Sequence, residues 1–335
     1  MRIILIGFGV VGQNLAKLLL SRSEDLYTFY GMKPRIVAAV DSNGSAVSTS
    51  GLDLHRLLDV KKNKGTVAKY GDGGKKEIVD IIESIDAEVV VEVTQTNLKT
   101  GEPGITNITS AIKNGRNVIT TNKGPLALAL PSLIELAEYN NVILRFSGTV
   151  GGGTPILEFA KRCLKGDRIV SFRGILNGTT NYILSRMEEG LSFNDALNDA
   201  KEKGYAEAEP SLDIDGYDAA AKLVIMANWV MGMKVTMKDV NFTGIRNVTA
   251  NDMKDALKNS NAIKLIASSN KGLTVKPTEV SKSDPLCVNG TLNAVTFSSE
   301  YSGQQTIIGK GAGGMETAIA VLRDLIEIRE AMGKV

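Results

Sequence analysis

Histidine and cysteine are nearly absent from this sequence. Of 335 residues one is a histidine, His55, and two are cysteines, Cys163 and Cys287. Two isolated thiols cannot build a disulfide framework, and such a chain fits a reducing, cytoplasmic setting. A single imidazole in a charged stretch argues against the usual serine and cysteine hydrolase triads and against a histidine-based metal site. Excess charge is missing as well. The 39 basic and 37 acidic side chains leave a net charge of +2, too little to favour nucleic acid or an acidic membrane surface. No apolar run reaches the roughly 18 residues of a membrane-spanning helix, so no membrane partner is expected. The apolar start, MRIILIGFGVVG, has no small-residue cleavage site, and its glycines account for it better than a signal peptide does. Internal repeats and low-complexity segments are also lacking. What remains is an ordinary globular composition, 43% hydrophobic and 23% charged, in a chain long enough for two domains.

The glycines at the start are the first positive signal. Ile3 to Ile6 reads as a short strand, Gly7-Phe8-Gly9-Val10-Val11-Gly12 follows, and VGQNLAKLLLSR reads as a helix. Strand, G-x-G-x-x-G and helix in that order form the dinucleotide fingerprint, with a pyrophosphate resting on the helix N-terminus. The second strand, RIVAAVD, ends at Asp41, an acid placed to hold a ribose hydroxyl. No arginine follows it, which points to NAD over NADP. Lys61, Lys62 and Lys64 read as a solvated face, in a largely irregular stretch from Gly44 to Gly74 around the short helix LDLHRLLDV. The helix KKEIVDIIESI, the strand EVVVEV, a helix near ITNITSAIKNG and the strand NVITT continue the alternation. Helix PSLIELAEYN and strand VILRFS complete it near residue 148. Alternating strands and helices, with strands that are continuous apolar runs, predict an α/β fold with a Rossmann-type parallel sheet over residues 1–148. Thr94 and the run TNKGPL, with Lys123, lie beyond strand carboxyl ends, where ligands bind in such sheets.

A second, α+β part is expected over residues 149–308, for substrate binding and dimerisation. It opens with GTVGGGTP, which spacing alone leaves open as a hinge, a close backbone approach or a ring of carbonyls around a cation. NGTTN can cap the next helix, and Ser192 the one after it. The centre of this part is GYAEAEPSLDIDGYDAAAKLVIMANWVMG, in which Lys222 is the only charge between Ala219 and Met231. A helix apolar nearly all round is a buried one, so this ammonium must find a partner. Asp218 lies one turn back on the same face. Glu207, Glu209, Asp213 and Asp215 crowd the preceding loop, so five carboxylates are expected to converge on one amine, as groups with altered acidity do at functional sites. The end, QQTIIGKGAGGMETAIAVLRDLIEI, reads as strand, glycine turn and long helix. Residues 309–335 are expected to return to the first domain.

With these residues assembled, the chain resembles the homoserine dehydrogenase family over nearly its whole length. GFGVVG, TNKGP, NGTTNYIL, GYAEAEPSLDIDGYDAAAK and GKGAGGMETAIAVLRDL carry the resemblance. It implies reversible, NAD(P)-dependent interconversion of L-homoserine and L-aspartate 4-semialdehyde in threonine and methionine biosynthesis. Lys222 matches the family's general acid/base, and Glu207, Asp213 and Asp218 match substrate-binding acids. Lys123 matches the lysine between nicotinamide and substrate, and Gly204 and Gly311 match cofactor contacts. Family members also hold a monovalent cation such as Na+ on backbone carbonyls, which places it at Ser147, Val150, Gly152 and Thr154. Many relatives carry glutamate where Ser147 stands. The resemblance further implies a homodimer and a short form without kinase or regulatory domain.

Two other readings stand beside this one. Aspartate-semialdehyde dehydrogenase needs a thiolate nucleophile with a nearby histidine, which Cys163, Cys287 and His55 do not offer. A non-catalytic NAD-sensing regulator would need the glycines but not Lys222 and its carboxylates.

Overall fold

The computed structural model describes residues 1–71 and 77–333. They form two compact units, one from residues 1–149 with the chain from Gly313 on, the other from residues 150–312.

The sheet of the first unit is ordered β3-β2-β1-β4-β5-β6. Its strands are β1 (Arg2–Ile6), β2 (Arg35–Asp41), β3 (Gly44–Val47), β4 (Val89–Glu92), β5 (Asn117–Thr120) and β6 (Leu144–Arg145). All neighbours are parallel except β2 and β3. The middle strands are buried along their length because helices cover both faces, namely α1 (Val10–Ser21), α2 (Ser23–Tyr30), α3 (Leu54–Lys64), α4 (Ile78–Ser84), α5 (Gly104–Lys113) and α6 (Lys123–Tyr139). The expected helix from Lys75 begins outside the described residues, and its described part is α4. In α6 the backbone leaves helical geometry at Ala129, two residues before Pro131, which has no N–H for the helical ladder. The chain's last helix, Gly314–Met332, belongs to this same unit. It places Ala318, Val321, Leu322, Leu325 and Ile328 in one core with Ile3, Leu5, Leu15 and Leu19. Its buried Asp324 accepts from the Ser147 N–H at 3.0 Å and from the Ser147 hydroxyl.

The second unit holds a sheet ordered β12-β11-β7-β9-β10-β8, from β7 (Ile169–Ile175), β8 (Val240–Phe242), β9 (Asn261–Ser268), β10 (Leu273–Ser281), β11 (Leu292–Ser299) and β12 (Gly303–Lys310). Its neighbours are antiparallel except β8 and β10. The helices are a single turn α7 (Ile156–Glu158), running into a π-helical turn over Phe159–Cys163, then α8 (Gly178–Glu188), α9 (Phe193–Glu202), α10 (Ser211–Ile214), α11 (Tyr217–Met231) and α12 (Ala250–Lys258). Caps fall where short polar side chains stand. Ser192 accepts from the Asp195 N–H at 3.2 Å, and Thr249 and Asp252 form a reciprocal pair at the start of α12. Helix α11 is buried from Asp218 through Asn228 and stops at Gly232 in the left-handed region.

Two expectations change here. The stretch after Asp41 is not irregular at first, since β3 returns antiparallel along β2. Lys61 is not part of a solvated face: its ammonium lies 2.7 Å from Asp41 Oδ2, while Lys62 and Lys64 are exposed. A carboxylate buried at the end of β2 needs a counter-charge, and α3 supplies it.

Candidate active site

In the second unit Lys222 sits on the second turn of α11. Its Nζ donates to the Leu176 carbonyl at 2.7 Å and lies 2.8 Å from Asp218 Oδ2. Lysine and aspartate are both buried. The i,i+4 spacing puts them on one face, and the chain entering α8 brings the Leu176 carbonyl to them. Asn177, the N-cap of α8, comes next. Its Oδ1 accepts from the Thr180 N–H, and its Nδ2 donates to Asp213 Oδ1 at 2.6 Å and to Asp218 Oδ2 at 2.9 Å. Burial first, and then the Asp218 charge, push the Asp213 carboxyl above its ordinary acidity range. The Asn177 hydrogen bond and the Lys222 charge work against them.

Five carboxylates therefore do not converge on the amine. Asp218 touches it and Asp213 joins through Asn177. Asp215 is held by Arg246, whose Nη2 lies 3.1 Å from its Oδ2, and Glu209 accepts from the Ser211 hydroxyl. Glu207 is exposed, on a loop tied to the start of α8 by the Thr179 hydroxyl, which donates to the Tyr205 carbonyl at 2.8 Å. Gly204 ends α9 with φ at +72°. Gly311 is packed on the buried Asn293, whose Cγ would lie 2.0 Å from any Cβ there. The turn with Gly151 and Gly152 approaches it within the same unit, since a Cβ on Gly152 would come to 3.1 Å from the Gly311 carbonyl carbon.

In the first unit the three glycines of the β1–α1 turn differ in what surrounds them. A Cβ on Gly7 would meet the Val93 carbonyl at 2.6 Å, and one on Gly12 the Gly7 carbonyl at 2.3 Å. One on Gly9 would meet nothing within 4 Å. That is a tight turn and a close helix–strand contact flanking one open backbone position, which suits a pyrophosphate. Helix α1 has no side-chain cap and no acidic residue in its first turn, so its N-terminal field is unopposed. Phe8 is buried, leaving only its backbone for a ligand, whereas Val10 is exposed and Val11 half-buried.

Asp41 is fully engaged. Oδ1 accepts from the Asn43 N–H at 3.0 Å and the Thr66 hydroxyl at 2.9 Å, and Oδ2 from the Val67 N–H at 2.9 Å and from Lys61. Burial pulls its carboxyl up, but the bonds from Lys61, Val67, Asn43 and Thr66 outweigh it and hold the group below its ordinary value. Thr94 donates its hydroxyl to Glu92, a fully buried acid at the end of β4 that also accepts from the Thr120 hydroxyl at 2.9 Å. Asn122 caps α6 and donates to the Thr94 hydroxyl at 3.3 Å, and Lys123 is the first residue of that helix. Around the glycine loop of the second unit, Val150 and Thr154 are buried, and the Thr154 carbonyl accepts the Ile156 N–H at 2.8 Å. Ser147 lies in the first unit, on Asp324. Among the described residues no group of three His, Cys, Asp or Glu side chains could hold a metal ion.

Reading the residues alone missed three participants: Asn177 as more than a cap, Lys61 as the partner of Asp41, and Glu92. Only Glu92 left a signal, a charge set between the apolar Val89–Val91 and Val93 of the run EVVVEV.

An open dinucleotide turn on one unit and a buried lysine–carboxylate pair on the other define a nicotinamide-dependent oxidoreductase. Residues 155–326 match the homoserine dehydrogenase family model, and residues 1–124 match that of glutamate/leucine/phenylalanine/valine dehydrogenase. A homoserine dehydrogenase of Methanocaldococcus jannaschii is 46% identical, each chain covered in full. An NAD(+)-dependent homoserine dehydrogenase of Pseudomonas canavaninivorans is 37% identical over 98% of this chain and 96% of its own. A solved hyperthermophilic archaeal homoserine dehydrogenase in complex with NADPH superposes with a TM-score of 0.85 at 29% identity, over 98% of this chain and 97% of that one. This chain belongs to the homoserine dehydrogenase family, NAD- or NADP-dependent oxidoreductases acting on a CH–OH group.

Proposed function

We propose that the interconversion of L-homoserine and L-aspartate 4-semialdehyde runs here with Lys222 as general acid/base, and with Asp218, Asp213 and Glu207 binding substrate. The observation that carries this reading is the buried contact of 2.8 Å between Lys222 and Asp218 beside the Leu176 carbonyl. Oxidising the alcohol removes a hydride from the carbinol carbon and a proton from its hydroxyl. The nicotinamide, when bound, supplies the hydride acceptor. Lys222 takes the proton in that direction and returns it to the alkoxide in the other. Asp213, half-buried and raised by burial and by the Asp218 charge, gains a counter-charge from the substrate ammonium, and Glu207 on its exposed loop binds the same group.

On the first unit, Gly7 to Gly12 hold the pyrophosphate, with the backbone of Phe8, Val10 and Val11 as donors, and Asp41 serves the adenosine ribose. Thr94 and Lys123 face the nicotinamide end, and Gly204 and Gly311 are the second unit's cofactor contacts. NAD is the favoured partner of Asp41, although Lys61 limits the discrimination. The carbonyls of Ser147, Val150, Gly152 and Thr154 are the proposed seat of a monovalent cation, supported by left-handed backbone at Gly151 and Gly152. The first unit with the final helix is the nucleotide-binding part, and the second binds substrate. Its sheet, with Val170 and Ile308 exposed, forms the homodimer interface. Two free cysteines agree with a cytoplasmic enzyme.

Lys222→Ala tests the central assignment. Loss of a general acid/base removes about 10²- to 10⁴-fold in kcat and kcat/KM together, while NADH affinity is retained. Near-parental turnover by a folded variant would exclude Lys222 from the chemistry. Unfolding, read by melting, would reduce it to a structural ion pair.

A further inference from the structure

The amide of Asn177 does more than capping requires. Its Oδ1 is committed to α8, accepting from the Thr180 N–H at 2.8 Å and the Thr180 hydroxyl at 3.0 Å. That settles which end of the amide faces the acids. Nδ2 reaches Asp213 Oδ1 and Asp218 Oδ2, whereas the reversed amide would set an oxygen against two carboxylates. Asp218 Oδ2 is also the atom that holds Lys222 Nζ, so one oxygen accepts from both.

We propose that Asn177 is a positioning residue that ties Asp213 to Asp218 and shares Asp218 Oδ2 with Lys222, so that Asp218 orients the amine without retaining its proton. The inference rests on Lys222 as acid/base. Two neighbouring carboxylates resist joint ionisation, and a hydrogen bond to each from one amide NH2 relieves that repulsion. Among the described residues, the charged groups in direct contact with Asn177 or with each other here include Asp213 from α10 and Asp218 and Lys222 from α11; Thr179 and Thr180 from α8 are neutral. Removing the Asn177 donor therefore acts in one direction. Asp213, already raised by burial and by Asp218, binds a proton at still higher pH, and Asp218 Oδ2 loses the second donor that it shares with Lys222. Each effect delays homoserine oxidation to higher pH.

Three variants separate this role from capping. Asn177→Ser and Asn177→Asp both keep a side-chain oxygen able to cap α8. The first loses the amide NH2, and the second replaces it with a third negative charge. Asn177→Ala loses cap and donor together. The measurements are kcat/KM for homoserine oxidation against pH, with a melting curve for each variant. The Ser variant is expected to melt near the parent, and the Asp variant below it, because its added carboxylate is buried beside two others. Their rising limb moves to higher pH by a few tenths of a unit for Ser and by about one unit or more for Asp. Asn177→Ala loses stability as well. A parental limb in Asn177→Asp would overturn the inference, as would a limb that moves only in Asn177→Ala. Lys222→Ala keeps the two ideas distinguishable. Near-parental turnover there removes the acid/base reading and this inference with it. An inactive Lys222→Ala beside an unmoved limb in Asn177→Asp removes the Asn177 role alone.

Discussion

At Asp41 the proposed cofactor role and the observed structural one work against each other. In the proposed role, the acid at the end of β2 holds a ribose hydroxyl and repels a 2′-phosphate. The same acid organises the turn at Thr66 and Val67 and is neutralised by Lys61. Like-charge repulsion near a solvated surface amounts to on the order of 1 kcal/mol, and a lysine at 2.7 Å offsets much of it. Lys61→Ala is therefore expected to lower the ratio of kcat/KM for NADPH to that for NADH by about fivefold. The comparison needs only the two cofactors on parent and variant, and an unchanged or increased ratio would show that Lys61 takes no part in the choice. Asp41 was visible in the sequence because a strand-ending acid has a characteristic place. Lys61 was not, because nothing in the spacing of a lysine run tells which ammonium folds back across a turn.

Among the elements, the β1–α1 turn was the most legible and α10–α11 the least complete. Glycine spacing encodes backbone approach directly, and the geometry assigns each glycine a distinct role. Gly12→Ala places a Cβ at 2.3 Å from the Gly7 carbonyl, an overpacking that costs about 1–3 kcal/mol and lowers the melting temperature. Gly9→Ala meets nothing within 4 Å, so the fold should hold while NADH affinity drops about tenfold or more, since the methyl occupies the ligand's approach. Equal melting losses in both variants, or unchanged affinity in Gly9→Ala, would contradict these roles. For α11 the apolar run announced burial and the i,i+4 pair announced Lys222 with Asp218. The acidic loop before it misled, since charge density in sequence says nothing of which acids Arg246 and Ser211 claim. Strand β3 escaped notice because four residues are too few to show alternation.

For the molecule as a whole, the return of the last helix to the first unit is the fact with most weight. Ala318, Val321, Leu322, Leu325 and Ile328 are buried there with the strand residues Ile3 and Leu5. Burying one such aliphatic side chain contributes up to about 1.5–3 kcal/mol, and together they rival the roughly 5–15 kcal/mol by which a whole domain is stable. Deleting the chain from Gly313 on is therefore expected to abolish NADH binding and the cooperative melting of the first unit. A deleted protein that bound NADH with parental affinity would refute this. The strand–turn–helix reading of the final segment and its return to the first domain were both expected from the sequence, but its core partners came only with the structure, because an apolar helix face does not name the side chains it covers.

That return also has a consequence for how the protein is made. A ribosome delivers the chain from its amino end, so the six strands of the nucleotide-binding sheet emerge long before the helix that seals one side of them. The second unit, contiguous from Val150 to Ala312, depends on no segment made after it. Throughout that interval the nascent chain carries an unfinished apolar surface on β1 and α1. Until that helix arrives, protection of this surface against aggregation has to come from outside the finished fold.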